Sequence, residues 1–371
     1  MKSPSHVNPV LGAGVFLTWL LLPVTALLTA ADVELCGGLA GMSCARRMHQ
    51  DKKQLIKEHG VRSARKLQEG EPVLVVDLNG QGQFSSIQEA VDSIQNGPAT
   101  IQINAGTYIE KVVVPSSLSY ITMQGAGMGL TIVQYNLKAA DIGTDGFPLT
   151  AYNAATVSIL SSNFVAKDIT FQNTQPPPPP GVEGYQAPAL KISGDKAAFY
   201  RCAFLGAQDT LCDDEGRHYF EACYLEGSID FIFGNGRSLY KNCELHSIAE
   251  GYGSIAAQDR QSPSENTGFS FVNCKVTGSG PIYLGRAMGP YASIVFAYSH
   301  FDGILDPRGW DDWDHDLSKD STVFFGQYQC DGPGADESHR VSWSHELSDS
   351  EVQPYLDLSF IDGSQWVPSS S

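Results

Sequence analysis

The 371-residue chain lacks the short motifs that announce several kinds of catalysis. It has no HExxH and no paired CxxC, which argues against a metal site. It has no GxSxG, which argues against a serine hydrolase built on a nucleophile elbow. Its nine histidines form no cluster. "GAGMG" at 125–129 is glycine-rich, but no helical pattern follows it, so it reads as a turn and not a phosphate cradle. Asn-x-Ser/Thr sequons are absent as well. Basic residues are scarce outside the N-terminal region. The net charge is −17, yet residues 1–70 carry nine Lys/Arg against five Asp/Glu, leaving −21 on residues 71–371. So acidic a main domain argues against nucleic acid as a partner.

The apolar stretch from Val10 to Ala31 follows Lys2 and ends in Thr29-Ala30-Ala31. Small residues at −3 and −1 predict a signal peptide over 1–31, cleaved after Ala31, and a secreted protein; a retained anchor is the competing reading. Residues 32–70 are basic and helix-prone, and read as a pro-segment or linker, or as a solvated helix capping the main domain. Cys36 and Cys44 could pair with each other there.

Helical periodicity is also scarce after residue 70. What is present is a repeat. Cys202, Cys223, Cys243 and Cys274 each have an aromatic residue at −3 and an apolar one at +2. The same frame fits Phe164-x-x-Lys167-x-Ile169, Phe296-x-x-Ser299-x-Phe301 and Phe325-x-x-Tyr328-x-Cys330. Short strands recurring every 20–30 residues or so indicate a solenoid. Minimal steps near 21 residues suit an all-β parallel β-helix over 71–371, with three short strands per coil; an antiparallel sandwich would show alternation without such a frame.

Asp209 lies seven residues after Cys202, and Asp230 seven after Cys223. The frame therefore sets the two acids side by side in consecutive coils, roughly 4.8 Å apart along the solenoid. Both have apolar flanks, where a bare carboxylate is unfavourable. Two such acids can share one proton, giving an acid and a nucleophile or base from identical residue types. A pair of turn-capping aspartates is the structural alternative.

The motifs "GTYIEKV" at 106–112, "QAPAL" at 186–190, "GAQDTL" at 206–211, "DFIFG" at 230–234 and "LGRAM" at 284–288, with "GWDDW" at 309–313, occur in one order. In these blocks the chain resembles the plant pectinesterase (pectin methylesterase) family from about Val73 to Trp366, in the short type without an inhibitor-like pro-domain. The resemblance implies a right-handed parallel β-helix that hydrolyses galacturonate methyl esters of pectin in the cell wall, releasing methanol, without a metal or cofactor. It implies Asp230 as nucleophile, Asp209 as acid and then base, Gln208 and Gln186 as amide donors to the oxyanion, and Arg286 as the contact to nucleophile and substrate. It also implies pectin as partner, a proteinaceous pectinesterase inhibitor as a candidate partner, and a monomer.

Two positions depart from the family pattern. Met288 stands where most members have a tryptophan, and "LTAYNAAT" places Ala151 at the usual threonine, with Thr150 adjacent. Met288 and Thr150 are expected substrate contacts, and Trp310 is expected to offer a flat sugar platform, unless it is a core residue. "PPPPP" at 176–180 should form a stiff bulge near Gln186, as a spacer or a wall of the groove. The stacked cysteines could be disulfides or small buried hydrophobes. A glycosidase or lyase, or an inactive pectin-binding solenoid, are the competing functions.

Overall fold

Strands of two to five residues cannot bury both faces alone, so they must stack on copies of themselves. The computed structural model, which describes residues 70–368 apart from 180 and 314, shows that stack. The expected signal peptide, the basic segment and Cys36 and Cys44 lie outside the described residues. Three parallel sheets run the length of the solenoid, one of eleven strands and two of eight. The order in each sheet follows the chain, as one strand per coil requires. The helix Ile87–Asp92, capped by the Ser86 side chain, adds Ile87, Ala90 and Val91 to the core.

The frame aromatics form the spine of that core. Phe199, Phe220, Tyr240, Phe271 and Phe296 stack coil on coil, with ring centroids 5.0, 4.4, 4.7 and 4.4 Å apart. The cysteines form a second column beside them and are free thiols. Each thiol leans on the carbonyl of the aromatic one coil back: Cys223 on Phe199, Cys243 on Phe220, Cys274 on Tyr240. The expectation left open between disulfides and hydrophobes resolves as buried thiols.

The first and last frames read from the sequence are displaced by two residues. Phe199 pairs with Ala166, not Phe164, and Phe296 pairs with Gln327, not Phe325. Strand side chains alternate with period two, so a slip of two residues keeps the same face inward and leaves the apolar pattern unchanged. Cys330, not Tyr328, continues the thiol column, and its sulfur lies 3.5 Å from the Phe296 carbonyl.

The outer face of the eleven-stranded sheet is covered by the C-terminal turns. Val352, Phe360 and Ile361 pack there on Ala198, Tyr219, Leu239 and Val295. The outer face of one eight-stranded sheet, which contains Leu190–Ile192, Leu211–Asp213, Ile232–Gly234, Ser254–Gln258 and Tyr283–Arg286, carries the polar cluster described next.

Candidate active site

Leu211 pairs with Ile232, and Gln208 bridges Ile229, so Asp209 stands opposite Asp230 in the adjacent coil. The separation is that of neighbouring strands, about 4.8 Å. Both aspartates adopt left-handed backbone, with φ 64° at Asp209 and 47° at Asp230. That conformation is uncommon for a residue with a side chain and marks a position held by its surroundings. The Asp209 N–H donates to the Ile229 carbonyl at 3.0 Å. Both residues are buried, at 8% and 5% exposure. These are carboxylates in an almost dry setting, as the apolar flanks implied.

Register carries Asp230 on to Ser254, since Ile232 pairs with Ala256 two residues later. The Asp230 N–H donates to Ser254 Oγ at 3.0 Å, and Ser254 Oγ in turn donates to the Asp230 carboxylate. Arg286 pairs with Ala257, two coils beyond Asp230. A small side chain at Ala257 lets the guanidinium reach back over it. Arg286 Nε donates to Asp230 Oδ1 at 2.9 Å and Nη2 donates to Oδ2, a two-point ion pair. Its third nitrogen, Nη1, donates to the Tyr252 hydroxyl at 3.0 Å. The guanidinium carbon lies 3.8 Å from the centre of the Trp313 ring.

The two acids therefore differ in charge environment. Burial pushes the Asp209 carboxyl well above the usual aspartate range, and the nearby charge of Asp230 pushes it further; Arg286 offsets only part of this. Burial works to lower the Arg286 pKa, but Asp230 and Tyr252 together hold it above its ordinary value. Burial lifts the Tyr252 phenol to about 12, so it stays neutral near pH 7, with its hydroxyl oxygen accepting from Arg286. Of the two carboxyls, Asp209 is the one whose surroundings favour the protonated form, and the guanidinium is bound to Asp230.

Gln186 and Gln208 are half-buried and lie in neighbouring coils, because the Ala187 N–H donates to the Gln208 carbonyl at 3.1 Å. The Gln186 carbonyl accepts from Ala139 at 2.8 Å, and the Ala139 carbonyl accepts from Thr150 at 3.0 Å. Thr150 is exposed and opens the short helix Thr150–Ala154. The structure thus ties the backbone of Gln186 to that of Thr150 through one residue. Met288 and Ala151, together with Trp313, pack around the outward column Cys212, Phe233 and Ala257, which forms an apolar patch beside the acids.

Trp310 does not fit its expected role as a sugar platform. It is 1% exposed and stacks on Phe325 in the core, with centroids 4.9 Å apart. Strand alternation explains this. Asp311 pairs with Arg286, which points outward, so Trp310 must point inward, over Gly285. A Cβ at Gly285 would come within 2.5 Å of Ile294 and 3.3 Å of the Trp310 ring. The outward aromatic is Trp313, in the same "GWDDW" motif. Tyr252 and Ser254 also went unselected in the sequence. Trp313 lies two residues past Asp311, beyond the two-residue strand Trp310–Asp311, and no period in the sequence marked it.

Comparison with known proteins returns one consistent group. The Pectinesterase family model matches residues 73–364. "Pectinesterase QRT1" of Arabidopsis thaliana is 48% identical over 300 residues, covering 80% of this chain and 78% of that protein. "Probable pectinesterase 8" of the same plant is 45% identical over 309 residues, covering 80% and 77%. The solved structure of pectin methylesterase from carrot has a TM-score of 0.73 at 33% identity, over 82% of this chain and 98% of that one. The fold they share is a right-handed parallel β-helix.

Proposed function

The chain belongs to the pectinesterase family, and from that premise we propose that Asp230 and Asp209 divide nucleophilic and proton-transfer work in the removal of methyl esters from pectin. The observation that carries this reading is the asymmetry of the pair: Arg286 binds Asp230 at two points, while Asp209 is buried without a cation bound to it, and burial and the neighbouring charge raise its pKa.

Asp230 attacks the methyl ester carbonyl of a galacturonate unit. The Arg286 pair and the Ser254 hydrogen bond orient its carboxylate, and near-complete burial limits competition from water. The carbonyl π electrons move to oxygen, forming a tetrahedral oxyanion. We take the side-chain amides of Gln186 and Gln208, residues of neighbouring coils, as its donors, a contribution of about 3 kcal/mol for one such donor. Collapse breaks the bond to methoxide, which takes the proton of Asp209 and leaves as methanol. An anhydride now joins Asp230 to the galacturonate. Asp209, ionised by that transfer, draws a proton from water, and the resulting hydroxide adds to the anhydride carbonyl. Cleavage releases the free galacturonate, leaves Asp230 as carboxylate and returns Asp209 to its acid form. The products are methanol and pectate.

Met288 and Ala151 lie in the apolar patch beside the acids and carry no proton, so these departures bear on substrate contacts and not on the chemical steps. We assign the reaction to the extracellular cell wall, on the apolar run Val10–Ala31 and the nature of the substrate, with the enzyme acting as a monomer and a proteinaceous inhibitor as a candidate partner. The test of the mechanism is methanol release from esterified pectin by Asp230→Asn and Asp209→Asn. Both variants should keep the parent's circular dichroism and lose turnover; near-normal release by either folded variant overturns the assignment.

A further inference from the structure

Arg286 has one partner that the reaction steps do not use. Nε and Nη2 donate to Asp230, while Nη1 donates to the Tyr252 hydroxyl at 3.0 Å. Coil order gives that contact a direction. Leu211 pairs with Ile232, Ile232 with Ala256 and Ala256 with Gly285, so Asp209 lies one coil before Asp230 and Tyr252 one coil after it. Tyr252 therefore holds the guanidinium from the side of Asp230 away from Asp209. The tyrosine is itself fixed. Its ring meets the buried Tyr283 ring edge-on, with centroids 5.8 Å apart. The backbone after it lies against the preceding coil, where the Ser254 N–H donates to the Ser228 carbonyl at 3.0 Å. Gly253 permits that approach, since a Cβ there would overlap the Ser228 carbonyl.

This tether matters when the charge moves. In the reaction proposed above, an Asp230 oxygen bonds to the acyl carbon, the bond from that carbon to methoxide breaks, and methoxide takes the proton of Asp209. The negative charge that began on Asp230 is then on Asp209, one coil away, and Asp230 is part of a neutral anhydride. Arg286, its side chain 17% exposed, is at this stage a largely buried cation without its counterion. An uncompensated buried charge is costly, and the nearest compensation is the new carboxylate. Arg286 already acts on Asp209 across that gap, offsetting part of its raised pKa. A guanidinium that followed the charge would pair with Asp209 and weaken it as the base that draws a proton from water. Trp313 covers one face of the guanidinium, but a ring face does not resist sliding in its own plane. The Tyr252 hydroxyl does, because a hydrogen bond is directional and this one persists when Asp230 loses its charge. With its pKa lifted to about 12, the hydroxyl stays an uncharged acceptor at either stage.

We propose that Tyr252 is a positioning residue for the second half of the reaction: it keeps Arg286 over Asp230 while the anhydride stands, and so leaves Asp209 free to act as base. In the free enzyme the two-point pair with Asp230 holds Arg286 without help, so the contact is needed only after acyl transfer. The proposal rests on the pectinesterase reading and its division of work between Asp230 and Asp209, and adds a residue that serves hydrolysis of the anhydride and not its formation.

The experiment is Tyr252→Phe in the full chain, which keeps the ring against Tyr283 and removes only the hydroxyl. Tyr252 is exposed, so the change is compatible with folding. When anhydride hydrolysis alone slows, kcat and KM for methanol release from esterified pectin fall together, here by about tenfold, and kcat/KM stays within about twofold of the parent's. Rapid-quench measurement should then show a burst of methanol, larger than the parent's and approaching about one per enzyme molecule, before the steady state. A fall in kcat/KM, a burst no larger than the parent's, or kinetics equal to the parent's would each overturn the proposal. A parent that releases no methanol would instead overturn the pectinesterase reading, and near-normal release by Asp209→Asn would overturn the division of work, so the failures are distinguishable.

Discussion

Ser254 Oγ accepts the backbone N–H of Asp230 at 3.0 Å and donates to the carboxylate of the same residue. One buried hydroxyl thus fixes both the left-handed backbone and the side-chain orientation of the proposed nucleophile. In Ser254→Ala the Asp230 N–H loses its partner and the carboxylate is held by Arg286 alone. The expected result is a kcat about tenfold lower, equivalent to about 1.4 kcal/mol of transition-state stabilisation, with KM little changed. Steady-state methanol release decides it: a raised KM at constant kcat would show that Ser254 acts on substrate binding instead.

The raised pKa of Asp209 has consequences for both activity and stability. In the proposed mechanism its proton goes to departing methanol, so kcat should fall as pH rises through the elevated value, well above the ordinary aspartate value of about 4. For stability the sign follows from proton binding. Between that ordinary value and the folded value, the folded state binds more protons than the unfolded chain, so stability falls as pH rises across that window. Asp209→Asn removes the ionisation. Its melting temperature should therefore exceed the parent's above the window and lose this part of the pH slope. Parallel melting curves of parent and variant across the range would refute the assignment.

The two tryptophans of "GWDDW" should behave oppositely. Trp310 lies in the core, so Trp310→Ala should destabilise by about 3–5 kcal/mol. Trp313 is half-buried and covers the Arg286 guanidinium. Trp313→Ala should leave the melting temperature within a few degrees and lower kcat/KM about tenfold, because Arg286 loses the ring that orders it. Denaturant melts alongside methanol-release kinetics separate the two effects. If Trp310→Ala proved stable and only catalytically impaired, the placement of these rings would be wrong.

Away from the site, Asp213, His218 and Tyr240 form a buried polar cluster at the end of Leu211–Asp213. His218 Nδ1 lies 2.5 Å from one Asp213 oxygen, and the Tyr240 hydroxyl donates to the other at 2.6 Å. Tyr240 also belongs to the aromatic spine. Tyr240→Phe keeps the stacked ring but leaves an Asp213 oxygen unsatisfied, and should cost about 1–3 kcal/mol. Urea titration measures this; no change in midpoint would mean that water or a side-chain shift replaces the hydroxyl.

Much of the site was readable because two consecutive coils have equal length. Asp209 and Asp230 are separated by 21 residues, the same as Cys202 and Cys223. Counting therefore found the acid pair, and the observed register matches it. Beyond Asp230 the spacing changes: Ile232 to Ala256 spans 24 residues and Ala257 to Arg286 spans 29. No fixed period reaches Ser254 or Tyr252, and Arg286 was found through its motif. Trp310 was misplaced for a different reason: a tryptophan in a two-residue strand gives no alternation of its own to show which face it takes. The displaced outer frames have the same origin, since period-two patterns cannot distinguish a register from one shifted by two.

The column of unpaired thiols changes how the solenoid's durability should be understood. Among the described residues no covalent staple joins one coil to the next, although the cysteines lie one above another. Cohesion between coils then comes from hydrogen-bonded ladders, stacked rings and close packing, contributions that a reductant does not reach. Dithiothreitol should leave the melting temperature of the coil domain where it was, an uncommon property for a protein whose expected destination is an oxidising compartment.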